Sequence, residues 1–243
     1  MVQPQFAFAA WAIAARAAGA RVVSAKERDY TVDVDAMLAA VDARTRVMFI
    51  ANPANPTGTC IPFSEIERLQ ATLPREVLLI LDGAYAECAA GIAGFSDGLD
   101  WSRDKDNVLV TRTFSKIYGL ASLRVGWAYG SADVIEVLDR IRLPFSVTRT
   151  GESAAVAALG DAAFVRRSVE LVTSERERIA LSLSELGCRV LPPTANFVTA
   201  QFTLPSAAEV ERKLADRGIL VRALTNYGLP DWLRITVGTA QQN

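Results

Sequence analysis

Five consecutive apolar residues, Val77-Leu78-Leu79-Ile80-Leu81, run straight into Asp82-Gly83-Ala84-Tyr85. The apolar run is strand-length and far too short to span a bilayer. It is one of several short β-rich runs that alternate with helical segments, which argues for a parallel α/β sheet. The spacing predicts a helix over Ala7–Ala18, a strand over Arg21–Ser24, a short helix over Val34–Val41 and a strand over Val47–Ala51. Ser64 reads as the cap of a helix reaching Leu73, with Glu67 completing a capping box. Strands follow at Val77–Leu81, Val108–Thr111 and Arg124–Tyr129, and Ser131 opens a helix that stops before Pro144.

The pattern changes near Thr150. Residues 151–187 are rich in Ala, Glu and Arg with helical period, interrupted at Gly160-Asp161. Strands are expected near Arg189–Leu191 and Phe197–Phe202, then a helix from Ser206 to Arg217 ended by Gly218. Ile219–Arg222 and Trp232–Val237 read as two more strands. Two units follow: residues 1–145, an α/β part, and residues 146–243, a smaller α+β part that includes the linking long helix.

Composition narrows the chemistry. The chain has 26 basic and 27 acidic residues and no histidine. No basic stripe suggests nucleic acid and no segment suggests a membrane. The start lacks the charged region of a secretory signal, so the cytoplasm is expected. Without histidine there is no Ser-His-Asp or Cys-His triad and no imidazole-ligated metal, so acid–base work falls to Lys, Asp, Glu or Tyr. Cys60, Cys88 and Cys188 have no metal or disulfide spacing and read as small buried thiols.

One segment carries the chemistry. In Thr111-Arg112-Thr113-Phe114-Ser115-Lys116, the lysine is flanked by hydroxyls and followed eight residues later by Arg124. That is the layout for a phosphorylated aldehyde cofactor, with an amine for a Schiff base and a phosphate grip. Of the four lysines, Lys26, Lys105, Lys116 and Lys213, only Lys116 follows a predicted strand in a Ser/Thr/Gly context. A surface lysine is the ordinary alternative; acting as nucleophile and proton shuttle requires surroundings that partly deprotonate it. Asp82, at a strand end where open α/β sheets place ligand groups, suits a protonated ring nitrogen. It could otherwise merely cap the next helix. Asn55, in Asn55-Pro56-Thr57-Gly58, and Tyr85 are candidates for the ring's phenolic oxygen, although the tetrapeptide is also a respectable turn. Thr113, Ser115 and the fork of Arg124 suit a phosphate dianion. Arg222 and Arg234 lie in apolar strand patterns, where an arginine is costly unless it meets an anion. A substrate carboxylate or phosphate is one partner; a structural acidic residue is the other.

In order and spacing these pieces resemble the pyridoxal-phosphate aminotransferases of fold type I. Ala195-Asn196-Phe197-Val198, Gly218-Ile219-Leu220-Val221-Arg222, Tyr227-Gly228-Leu229-Pro230 and the Leu233–Thr239 run narrow this to a resemblance to the histidinol-phosphate aminotransferases. The resemblance implies a fold type I large domain, a mostly parallel mixed sheet between helices, plus a smaller α+β C-terminal domain. It implies pyridoxal 5'-phosphate on Lys116, with Asp82 at the ring nitrogen, Asn55 and Tyr85 at the phenolic oxygen, and Thr113, Ser115 and Arg124 at the phosphate. Phe6 falls where the family usually has a tyrosine stacked on the ring. Arg222 and Arg234, with Asn55, would meet the substrates: histidinol phosphate, and glutamate or 2-oxoglutarate. A homodimer is implied as well. The family's chains run longer at both ends, so a shortened chain is expected. The alternatives are an aromatic-amino-acid aminotransferase or threonine-phosphate decarboxylase of the same superfamily, or a non-catalytic remnant.

Overall fold

A computed structural model describes all residues, 1–243. In the first half, strand β1 (Val2–Pro4), helix α1 (Ala9–Ala17), β2 (Val23–Ala25), α2 (Val34–Ala39), β3 (Val47–Ala51), α3 (Phe63–Thr72), β4 (Leu78–Asp82), the single turn α4 (Ala86–Ala89), β5 (Val108–Thr113) and β6 (Gly126–Gly130) follow one another. They build one six-stranded sheet in the order β2-β1-β3-β4-β5-β6. The first five strands are parallel and β6 runs antiparallel to β5.

Val2, Met48, Ile50, Leu79, Leu81, Val108 and Val110 share one face of that sheet and pack with Met37 of α2 and Ile66 and Leu69 of α3. On the opposite face Phe49 stacks on Trp11 of α1, with centroids 4.8 Å apart. Helices on both faces explain why β3, β4 and β5 are continuously apolar rather than alternating. The parallel register brings Ala51, Asp82 and Thr111 side by side at the carboxyl ends of β3, β4 and β5.

The second half begins with α5 (Ala132–Ile141), α6 (Arg149–Gly160) and the long α7 (Ala162–Glu185). The break between the last two falls at Asp161, whose side chain caps α7 by accepting from the Phe164 N–H. Then β7 (Arg189–Val190), β8 (Phe197–Gln201), α8 (Ala207–Ala215), β9 (Arg222–Leu224) and β10 (Leu229–Thr236) form a four-stranded antiparallel sheet in the order β7-β8-β10-β9. No helix is long and apolar enough to cross a membrane.

Four local expectations are corrected. β1 was not expected, because three residues ending in proline carry little strand signal. Pro4 is tolerated because only Val2 of β1 pairs with β3, so no ladder bond to β3 is required of Pro4. Ser64 lies inside α3 rather than capping it. Pro62 is the boundary residue, and the Phe63 N–H is satisfied by the Gly94 carbonyl across the chain at 2.8 Å. Ile219–Val221 do not form a strand. They follow the close of α8, where the Ile219 N–H reaches back to Leu214 O and Gly218 takes φ +77°; β9 starts only at Arg222. Arg124 precedes β6 and adopts a left-handed conformation, φ 57°.

Leu79 is fully buried at the centre of the large core. Leu79→Ala is expected to lower the unfolding free energy by about 3 kcal/mol, read from the midpoint of urea denaturation at unchanged m-value.

Candidate active site

Lys116 sits in the loop after β5, held by its neighbours rather than by its own side chain. Phe114 and Ile117 are buried on either side of it, and Phe114 packs with Val125 and Ala155. The Ser115 N–H donates to the Thr113 hydroxyl at 3.0 Å, the Gly119 N–H to Lys116 O and the Leu120 N–H to Phe114 O. Gly126 is required where β6 leaves this loop: a Cβ there would stand 2.7 Å from Arg112 O. The ε-amine lies 5.2 Å from the centroid of the Tyr85 ring. Burial lowers its pKa, the charge of Arg234 lowers it further, and Asp82 pulls the other way.

Asp82 ends β4, and its Oδ1 accepts the Ala84 N–H at 3.0 Å. Burial raises its pKa against that amide, the Thr111 side chain and the charge of Lys116, which all lower it. Tyr85, three residues on, is buried edge-on against Phe197, with centroids 5.3 Å apart and planes at 87°. Desolvation pushes its phenol up to about 12, so it is a proton donor in hydrogen bonds across the neutral range.

The Asn55-Pro56-Thr57-Gly58 turn is fastened by the small sheet. Thr199 of β8 donates its hydroxyl to Pro56 O at 2.7 Å and Thr194 donates to Gly58 O at 2.6 Å. Gly58, at φ +78°, lies so close to Phe197 that a Cβ would meet the ring at 3.2 Å. Arg234 of β10, the register partner of Thr199, donates from Nη1 to Asn55 Oδ1 at 2.6 Å. Because that oxygen is occupied, the Asn55 amide nitrogen is left to donate. The Arg234 guanidinium also lies 5.0 Å from the Phe197 centroid, and its Nε is buried without a hydrogen-bond partner. Neither Arg234 nor Arg222 pairs with a carboxylate; they face each other across β9 and β10. Like charges placed directly opposite repel, so an anion is the partner this pair lacks.

The structure therefore brings Lys116, Asp82, Tyr85, Asn55 and Arg234 together. Thr113, Ser115 and Arg124 lie beside Lys116. Thr113 and Ser115 are half-buried, while Arg124 is exposed, donating to Ala121 O at 2.7 Å with Ser115 Oγ at the edge of reach, 3.5 Å. Arg222 is exposed on the same small-sheet face as Arg234. Phe6 follows β1 at the carboxyl edge of the large sheet. Its contacts run to Tyr30, stacked at 5.7 Å, and to the Leu191–Trp232 cluster of the small unit.

Sequence reasoning missed Phe197, Thr194, Thr199, Arg112 and the buried Arg176 as parts of the site's frame. For Thr199, Arg112 and Arg176 the only sequence signal is a polar residue inside an otherwise apolar or helical pattern, and Phe197 and Thr194 carry none. A groove of about 770 Å³ between α7, α8 and β10 is lined by residues such as Leu183, Leu214 and Ile235, and none of Lys116, Asp82, Tyr85, Asn55 or Arg234 lines it.

A parallel sheet whose carboxyl end carries a desolvated amine and a desolvated carboxylate, met by a guanidinium without an anion from β10 of the small sheet, offers groups that suit an anionic, aldehyde-type cofactor. The chain belongs to the class I and II aminotransferases, whose family model matches residues 2–243. Within that class it is similar to "Histidinol-phosphate aminotransferase 1" of Caulobacter vibrioides, 51% identical over 100% of this chain and 68% of that protein. It is also similar to the histidinol-phosphate aminotransferase of Sphingopyxis alaskensis, 49% identical over 98% of this chain and 65% of that protein. The crystal structure of histidinol-phosphate aminotransferase from Sinorhizobium meliloti in complex with pyridoxal-5'-phosphate superposes with a TM-score of 0.91 at 29% identity. That match covers 100% of this chain and 66% of the other. The chain thus spans about two thirds of the length of these relatives.

The opposing influences on Lys116 give a direct test. Arg234→Ala removes a cation that depresses the amine, so the pH midpoint for labelling Lys116 with an amine-specific reagent should rise. Asp82→Asn removes the one acidic group supporting the charged form, so the midpoint should fall. Peptide mass spectrometry across a pH series reads both; shifts in the same direction would contradict the arrangement.

Proposed function

We propose that the chain is the cofactor- and substrate-binding body of a pyridoxal-phosphate transaminase acting on histidinol phosphate in histidine biosynthesis, with glutamate and 2-oxoglutarate as the other pair. The observation that carries this reading is the pairing of a half-buried amine of lowered pKa with a desolvated carboxylate in one another's field. The arginine without an anion stands beside them.

The residues present fit pyridoxal 5'-phosphate. Asp82 is a carboxylate whose burial is offset by one amide, one hydroxyl side chain and a lysine, and it awaits a cation such as a ring N–H. Asn55 has its oxygen engaged and its amide nitrogen free to donate to a phenolic oxygen, as does the Tyr85 hydroxyl. The hydroxyls of Thr113 and Ser115 and the fork of Arg124 match a phosphate. The cofactor, when bound, supplies an electron sink for the substrate's α-carbon.

The protein's part is position and protons. Lys116 would hold the cofactor through its amine and, as the free base, would carry a proton to and from the substrate carbon. Its lowered pKa leaves more of it as free base at neutral pH than an ordinary lysine has. Asp82 keeps the ring nitrogen protonated. Arg234, with Arg222 on the adjoining strand, receives the carboxylate of glutamate or the phosphate of histidinol phosphate. Phe6 is assigned to ring stacking, where phenylalanine keeps the face contact and gives up a hydroxyl. Residues 1–145 act as the cofactor domain and 146–243 as the small domain, in a cytoplasmic homodimer of the kind the family implies. The superfamily alternatives are separated by substrate.

Titrating pyridoxal phosphate into the purified chain should produce a new absorbance band that Lys116→Ala abolishes; a band that persists in the variant rejects the lysine assignment. Asp82→Asn should keep the band and lower kcat by about a hundredfold or more, since a charge aimed at the reacting group is lost. Turnover of phenylalanine but not of histidinol phosphate would move the assignment to an aromatic-amino-acid aminotransferase.

A further inference from the structure

Arg176 lies within the long helix α7 and is only 5% exposed. No carboxylate pairs with it. Its Nη1 donates to two carbonyl oxygens, Cys88 O at 3.2 Å and Ala195 O at 3.1 Å, and its Nε is buried without a partner. Burying a guanidinium on carbonyls alone is unfavourable, and an apolar side chain of similar volume would pack there at less expense. The two carbonyls, then, are what the residue serves.

They belong to different halves of the molecule. Cys88 is in α4, the single turn that starts immediately after Tyr85. Ala195 stands two residues before Phe197, where the chain enters β8. Tyr85 and Phe197 are the two rings that meet edge to face, with the amine of Lys116 over the first and the guanidinium of Arg234 over the second. One nitrogen of Arg176 thus ties together the backbone segments that carry both rings.

We propose that Arg176 is a positioning residue: by bridging Cys88 O and Ala195 O it sets the Tyr85–Phe197 contact, and through it the spacing between the amine of Lys116 and the anion-receiving guanidinium of Arg234. The inference rests on the roles assigned above to Lys116, Tyr85 and Arg234. Arg176 touches neither cofactor nor substrate. Its removal acts by letting α4 and the Ala195–Phe197 segment drift apart, and a displacement of about 1 Å in such a frame is worth about a hundredfold in rate.

The test compares wild type, Arg176→Met, Arg176→Lys and Tyr85→Phe, each loaded with pyridoxal phosphate. Arg176→Met should still form the lysine–cofactor band, because Lys116 is intact. The pH midpoint of that band should move upward, in the direction of Tyr85→Phe, since a donor to the phenolic oxygen is displaced. kcat/KM should fall about a hundredfold, with KM for the amino-acid donor taking a large share. Arg176→Lys, shorter and unable to reach both carbonyls, should show the same changes in smaller measure, and it carries the test if the methionine variant does not fold. A folded Arg176 variant with unchanged pH midpoint and unchanged KM overturns the proposal, even if its melting temperature has dropped, because a merely structural role predicts that pattern. If wild type itself gives no band, the cofactor reading fails and takes this inference with it. If wild type gives the band and Tyr85→Phe moves its midpoint while Arg176→Met does not, only the role of Arg176 is lost.

Discussion

The site depends on the seam between the Asn55–Gly58 turn of the large sheet and strands β8 and β10 of the small one. Thr199 and Thr194 hold the turn by its carbonyls, Phe197 closes on Gly58, and Arg234 takes the Asn55 side chain. Each bond alone is modest, on the order of 1 kcal/mol net. Together they fix an arginine from the second half of the chain beside a lysine from the first. Without the seam, Arg234 would be a strand arginine with no anion and Asn55 a residue in a turn.

Electrostatics follow from that assembly. Desolvation acts in opposite senses on an amine and a carboxylate, lowering Lys116 and raising Asp82, so both are drawn toward their neutral forms. Arg234 adds to the effect on Lys116 because no acidic residue neutralises it. The same absence leaves its charge open to an external anion. A structural ion pair at Arg234 would have removed both properties. By contrast Arg112, on the far side of β5, is paired with Glu87 and Asp97 and packs over Trp127, a structural arrangement that fastens α4 from the other side.

Much of this was legible beforehand because the large sheet is built from long, uninterrupted signals. Val47–Ala51 ends as read, the strand read as Val108–Thr111 starts as read and runs on to Thr113, and the break at Gly160-Asp161 falls between two helices as read. What failed were elements whose stability is not local. β1 is three residues long and exists because β2 and β3 flank it. The start of α3 is set by a distant carbonyl at Gly94, which outweighs the Ser64 capping signal. Ile219–Val221 look like a strand by composition, yet the closure of α8 at Gly218 uses their first amide.

The sequence by itself determined the chemistry on offer. A lysine among hydroxyls, a carboxylate at the end of an apolar strand and an Asn-Pro-Thr-Gly turn are local patterns, and their meaning survives without coordinates. Tertiary structure alone decided which arginine meets which group. Arg222 and Arg234 carry the same pattern in one dimension, but only Arg234 is placed over Phe197 and against Asn55, because register across β8, β9 and β10 sets what a strand residue faces. Arg176 is silent in sequence, one polar residue in a charged helix, and gains its part only where two remote carbonyls converge on it.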